Sequence, residues 1–264
     1  MVRDIISTPD FERLAGIFGC NERAMTTTNE QGLKVGAPIP DWTMPALPAR
    51  ETLTGRTCRV EPLHIARHAD DLHTAFSADA SGADWSYLPY GPFDSLADLE
   101  IWLSETCFSD DPIFFAIIDL ESGKAVGMAS YLNINRVHGT IEVGHVHFSP
   151  ILQRRRVATE AIHLMMGHAF STGYRRYEWK CNALNARSRK AAQRFGFSFE
   201  GVFRQHMVMR GHNRDSAWYA CVDGAWPQLD AAFQTWLGDA NFDADGQQLR
   251  SLKDLTRLLL VATD

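Results

Sequence analysis

Ser149 to Ala161 reads SPILQRRRVATEA, with the alternating run TIEVGHVHFS leading into it and the helical run ATEAIHLMMGHAF leaving it. A helix that opens from such a turn carries unpaired backbone N–H groups and the positive end of its dipole, which together suit a phosphate. Arg154, Arg155 and Arg156 add charge to that cradle, or else they are a solvated basic turn ahead of an ordinary surface helix. The flanking chain decides between the two.

Composition sets the outer bounds. The 264 residues are 45% hydrophobic and 22% charged, ordinary values for a globular chain with a sizeable core. A formal net charge of −6 argues against wholesale nucleic-acid binding and leaves room for a local anion site. Five cysteines, odd in number and without CxxC spacing, fit reduced thiols better than a disulfide framework. The N-terminus MVRDIISTPDF lacks the apolar core of a secretory signal, and no run has the length of a membrane span. These features place the chain in the cytoplasm.

Residues 1–55 read as an extension. A short amphipathic stretch (Phe11, Leu14, Ile17, Phe18) is followed by an arm in which Pro38, Pro40, Pro45 and Pro48 forbid a long helix and Trp42 is the candidate anchor. The compact domain is expected over 56–226. RTCRVEPL (56–63) alternates as a strand; HIARHADDLHTAFSA and SLADLEIWLSETCF follow as helices, the second capped by Ser95. PIFFAIIDL, KAVGMASYLNI and TIEVGHVHFS form an antiparallel meander, and after the opening stretch come the strand YRRYEWKCN, the helix NARSRKAAQRFG and two closing strands. The order is βααβββαβαββ. His64 and His68, four apart on a helix, and His145 and His147, two apart on a strand, lack the remaining ligands of a metal set, so no metal is expected. Trp85, Tyr87 and Tyr90, in the connection DWSYLPYGPF, line a substrate site or form a lid packed on the core.

From about residue 56 to 226 the chain resembles the GNAT superfamily of acyl-CoA-dependent N-acetyltransferases, especially its ribosomal-protein N-terminal acetyltransferase branch. Two motifs carry the resemblance. The first is Gln153, Arg154, Arg155, Arg156, Val157 and Ala158, matching the family's Gln/Arg-x-x-Gly-x-Gly/Ala turn with Arg156 at the first glycine. The second is Asn185 opening a helix that Gly196-Phe197 closes, in the pattern NxxSxxxxxxxGF. The resemblance implies an α/β (α+β) fold with a mixed central sheet of about seven strands, flanked by helices, whose fourth and fifth strands splay apart to admit the coenzyme. It implies acetyl-CoA as cosubstrate, contacted by Val146, His147 and Phe148 on the fourth strand, by Gln153 to Thr159 at the turn, and by Asn185 and Ser188. Many members use a tyrosine four residues before the glycine as the acid for the departing thiolate; here that position is Ala192, and Ser188 takes the role. A glycine allows a positive φ and close approach to phosphate, so Arg156 bears directly on the geometry of the turn.

The chemistry needs an amine in its free-base form, hence a proton acceptor, which is a carboxylate or histidine acting directly or through water. Glu142, on the strand entering the turn, is the first candidate, with a structural ion pair as the competing explanation; His206 in FRQHMV is the second. Strict alternation groups Glu142 with Val146 and Phe148, and His145 with His147, unless a bulge, common in the family at this point, changes the count. Cys181 is read as a plain buried thiol. Residues 227–264 form a helical extension. Its last run places Leu252, Leu255, Leu258 and Leu259 on one face, which either closes a homodimer or covers the chain's own core. The expected activity is acetyl transfer to a primary amine, a peptide N-terminus or a small molecule, by direct attack in a ternary complex. The alternative is an acyl-CoA-binding module that has lost catalysis, motivated by Ala192.

Overall fold

A hairpin begins the described part of the chain: the computed structural model describes residues 26–264, and the amphipathic stretch around Phe11 to Phe18 lies outside them. The described residues fall into two units divided between Thr43 and Met44. In the first, β1 (Thr26–Thr28) pairs antiparallel with β2 (Lys34–Gly36). Asn29 makes their turn, its Oδ1 accepting from the N–H groups of Gln31 and Leu33.

The second unit contains β3 (Leu53–Thr54), β4 (Cys58–Pro62), α1 (Ile65–Phe76), α2 (Leu96–Thr106), β5 (Ile113–Asp119), β6 (Ala125–Asn135), β7 (Thr140–Phe148), α3 (Arg156–Ser171), β8 (Arg176–Asn182), α4 (Ala186–Arg194), β9 (Ser198–Met209), β10 (His212–Val222), α5 (Trp226–Leu237) and α6 (Leu252–Thr256). From β4 to β10 the order is the expected βααβββαβαββ. The strands form one eight-stranded sheet in the order β3-β4-β5-β6-β7-β8-β10-β9, antiparallel except for the parallel pair β7 and β8. One strand more than expected arises because β3 forms inside the proline-rich arm. Leu53 and Thr54 lie past the last proline and pair with Val60 and Arg59.

The two sheet faces differ. One is covered by α3, α4 and α5 over a large core that includes Ile141, Val143, Met165, Tyr177, Trp179, Phe197 and Phe233. The other is covered by α1 and α2 over the β4–β6 half, where Leu72, Leu99, Leu103, Phe114 and Met128 meet. The final leucines form a short helix and then a 3-10 turn, Arg257–Leu259, in place of one continuous helix. Leu252 is fully buried and Leu255 and Leu259 pack on the main core, so this face covers its own chain; Leu258 stays exposed.

β7 and β8 are the fourth and fifth strands of the expected pattern, and they splay. Their pairing runs only from Thr140 with Arg176 to Val143 with Trp179. Beyond Gly144, β7 stays with β6 while Lys180 to Asn182 stay with β10.

Candidate active site

The opening stretch builds one wall of the splay. Ser149 Oγ donates to Val126 O at 2.6 Å and anchors the turn, and Gln153 Nε2 donates to Phe148 O and to Asp84 Oδ2. Arg154 takes a positive φ of 64°, so the left-handed residue of this turn is Arg154 and the absent glycine at 156 costs nothing in backbone strain. Arg156 is the first residue of α3, whose start has no side-chain cap. Its first-turn N–H groups are therefore oriented for an anion.

The arginine side chains divide in a way the sequence did not show. Arg155 pairs with Asp119 and Glu121, each at 2.9 Å. Arg156 donates to Leu237 O and Asp239 and lies over the ring of Phe242. Only Arg154 leaves its guanidinium exposed without a hydrogen bond or ion pair to a described residue. The Arg155 and Arg156 side chains are thus tied into the fold, and that of Arg154 is the one left to add charge to the turn. Val157, Ala158 and Thr159 are buried, and Thr159 Oγ1 accepts from Arg194. Arg194 also lines the cleft; burial lowers its pKa to about 10, and it faces Trp236 and Phe195 without a carboxylate partner among the described residues. Sequence reasoning missed it; its only signal was its place two residues before Gly196.

The opposite wall comes from β8 and α4. Asn185 caps α4, its Oδ1 accepting from Ser188 N at 3.1 Å. Ser188 Oγ accepts from Trp179 Nε1 at 3.0 Å, which fixes the hydroxyl at the cleft. Gly196 closes the helix at φ 86°, where an added Cβ would meet Leu229 at 2.3 Å. Ala192 is fully buried, and Cys181 is a buried thiol whose pKa burial raises.

A bulge in β7 rearranges the floor. Met128 pairs with His147 and Ser130 with Gly144, so one residue of β6, Ala129, opposes two of β7, His145 and Val146, and His145 sits at φ 49°. Val146 and Phe148 pack toward the α3 side, while His145 contacts Phe114 and His147 contacts Phe76 on the α1 side. The bulge that the resemblance allowed at this point is present, and it changes the count. Glu142 shares its face with His145 and His147, not with Val146 and Phe148.

Glu142 is 5% exposed. Its Oε2 accepts from Asn133 at 2.7 Å and pairs with Lys180 at 2.9 Å; Oε1 takes no hydrogen bond from a described residue. Burial raises its pKa above the ordinary value, with Lys180 and Asn133 opposing. Lys180 also pairs with Glu178 and lies 3.9 Å over the Trp218 ring. His206 is exposed, with Nδ1 at 2.9 Å from Ser216 Oγ. His145 Nδ1 lies 3.0 Å from Tyr90 Oη, and burial lowers its pKa to about 4, so it is neutral at pH 7.

The aromatic connection is mostly lid. Trp85 is 1% exposed and stacks on His147 at 3.7 Å, which corrects its assignment as a substrate contact and takes the His147 ring into the core as well. Tyr90 packs on Trp102. Tyr87 faces the cleft, donating to Leu184 O across it at 3.2 Å. No group of three or more His, Cys, Asp or Glu side chains able to hold a metal occurs among the described residues, and no helix among them is long and apolar enough to cross a membrane.

Residues 59–198 match the acetyltransferase (GNAT) domain family. The crystal structure of a GCN5-related N-acetyltransferase from Brucella melitensis is 44% identical over 83% of this chain and 100% of that one, with a TM-score of 0.81. A probable acetyltransferase of the GNAT family from Chromobacterium violaceum is 38% identical over 72% of this chain and 95% of its own, with a TM-score of 0.68. RimL, a ribosomal-protein alpha-N-acetyltransferase, shares the fold at 19% identity over 65% of this chain and 94% of its own, with a TM-score of 0.54. Comparison with curated proteins gives no match.

Proposed function

The chain belongs to the GNAT acetyltransferase family, and on that premise we propose that it moves the acetyl group of acetyl-CoA to a primary amine by direct attack in a ternary complex, with Glu142 as the proton acceptor. Acetyl-CoA supplies the activated thioester. The observation that carries the assignment is Glu142 itself: a buried carboxylate on the bulged strand that lines the cleft, one oxygen tied to Lys180 and Asn133, the other taking no hydrogen bond from a described residue. A base held in this way is oriented by one oxygen and reactive through the other.

The remaining roles follow from position. The first turn of α3 and Arg154 face the pyrophosphate, and Arg194 adds a cation to the same cleft. The bulge leaves one of His145 and Val146 out of the β6 ladder, and its backbone N–H would be the donor available to polarise the thioester carbonyl. Ser188, held by Trp179, protonates the departing thiolate. His206 takes a lesser part, since its ring is exposed and its Nδ1 is engaged by Ser216. These residues all lie within 56–226, which we assign as the catalytic domain, with the arm before it and the helical extension behind. Four buried free thiols, Cys58, Cys107, Cys181 and Cys221, support a cytoplasmic setting.

The test is thiol release from acetyl-CoA over a panel of amines and peptide N-termini, with the product identified by mass. Acetylated amine formed in equal amount to free thiol is the expected result. Release that no amine accelerates would sink the proposal.

A further inference from the structure

Resting on the acetyl-transfer reading, we infer that the acceptor carries an anionic group besides its amine, and that Arg214 and Trp218 on β10 receive it. Arg214, Ser216 and Trp218 alternate along β10 and line the cleft with Glu142 and Lys180. Ser216 is occupied by His206. Its two neighbours are not satisfied: Arg214 Nε and Trp218 Nε1 are both buried without a hydrogen-bond partner among the described residues.

Arg214 is half-buried and makes no ion pair with a described residue. The contrast with Arg176, on the same sheet, is direct, because Arg176 binds both Glu178 and Glu200. Burial depresses the Arg214 guanidinium below its ordinary value, with Cys181 and Glu142 pulling the other way. The influence of Glu142 does not amount to pairing, since the Glu142 charge is already engaged by Lys180. A cation and an indole N–H that no described residue pairs, four residues apart on one strand face, are costly to hold without an acceptor group. The indole plane is fixed by Lys180 beneath it, so the N–H direction is fixed too.

Glu142 draws the ammonium end of an acceptor and Arg214 its anionic end. The ligand class is a small amine bearing a carboxylate or a phosphate. Two sources share this chemistry, free amino acids and aminoalkyl phosphates, and matched pairs of acceptors separate them.

The experiment measures kcat/KM at saturating acetyl-CoA for each L-amino acid against its carboxamide, and for phosphoethanolamine against ethanolamine. In one of these sets the charged twin is expected to be favoured by about 30-fold, the worth of a hydrogen-bonded charge. R214Q is expected to bring that ratio close to unity and to raise the acceptor KM far more than the KM for acetyl-CoA. W218F, which keeps the ring under Lys180 and removes the N–H, lowers the ratio by a smaller factor. Equal use of the twins in every pair, or an equal rise of both KM values in R214Q, would overturn the inference. If no amine releases thiol, acetyl transfer is what fails, and calorimetry with N-acetyl amino acids against their amides decides the anion site on its own. Tighter binding of an acid, lost in R214Q, supports it; equal or absent binding defeats it.

Discussion

The two walls of the splay are built on opposite principles. On the α3 wall nearly every side chain is tied inward: Arg155 to Asp119, Arg156 to Leu237 and Asp239, Gln153 to Asp84. What faces the cleft there is chiefly backbone N–H and the single guanidinium of Arg154. Where β10 continues the opposite wall beside β8, the side chains themselves line the cleft, and Arg214 and Trp218 do so with buried donors that no described residue pairs. On the proposed reading, a wall made of backbone donors serves the invariant coenzyme and tolerates Arg156 at the place of a glycine in the family's turn. A wall made of unpaired side chains is where one acceptor is told from another.

Glu160 tests the tied wall most severely. Its carboxylate accepts from the N–H groups of Arg56, Thr57 and Cys58 and from the Thr57 hydroxyl, joining the start of β4 to α3. Glu160→Gln should cost about 3 kcal/mol of stability, read in urea melts, because it leaves buried donors unmatched. The sign of its pH dependence is set as well. Burial raises the Glu160 pKa, but those four hydrogen bonds outweigh burial and hold it below the ordinary value. Its contribution is therefore complete above the unfolded glutamate value and lost as pH falls through the depressed one, so the gap between wild type and variant should narrow in acid.

Next in size, Glu142→Gln should lower kcat by about 100-fold with little change in the KM for acetyl-CoA. Since burial raises the Glu142 pKa, wild-type activity should fall as pH drops through a value above the usual carboxylate range, and the variant should lack that limb. A lower melting temperature with kcat intact would make Glu142 structural and blur the distinction between the walls. A smaller effect belongs to Arg154→Glu, which should raise the KM for acetyl-CoA about 10-fold and leave that for the acceptor alone. Arg156→Glu is the poorer probe, since it would also break the contacts with Leu237 and Asp239. Smallest, Ser188→Ala should lower kcat a few-fold, and a change in the KM for the acceptor instead would make Ser188 an acceptor contact.

Much of this was legible in the residues. The βααβββαβαββ order followed from alternation and helical spacing, and Gly173 and Gly196, both at positive φ, marked helix ends as glycine does. Asn185 was readable as a cap because its chemistry is local. The bulge at His145 was anticipated only through the family resemblance, for it is a mismatch between two strands, and either strand by itself alternates normally. The fates of Trp85 and Arg156 were equally hidden, since an indole can line a site or fill a core, and what chose was Phe76 and His147 in one case and the end of α5 in the other.

By itself, then, the sequence determined the elements, their order, the turn that opens α3 and the family it belongs to, because propensity, capping and spacing act over a few residues. The tertiary structure decided which arginines remain free, which residues share a face with Glu142, and where unpaired donors gather on β10. Each of these depends on partners tens of residues away, brought together only when the sheet forms and its middle strands part.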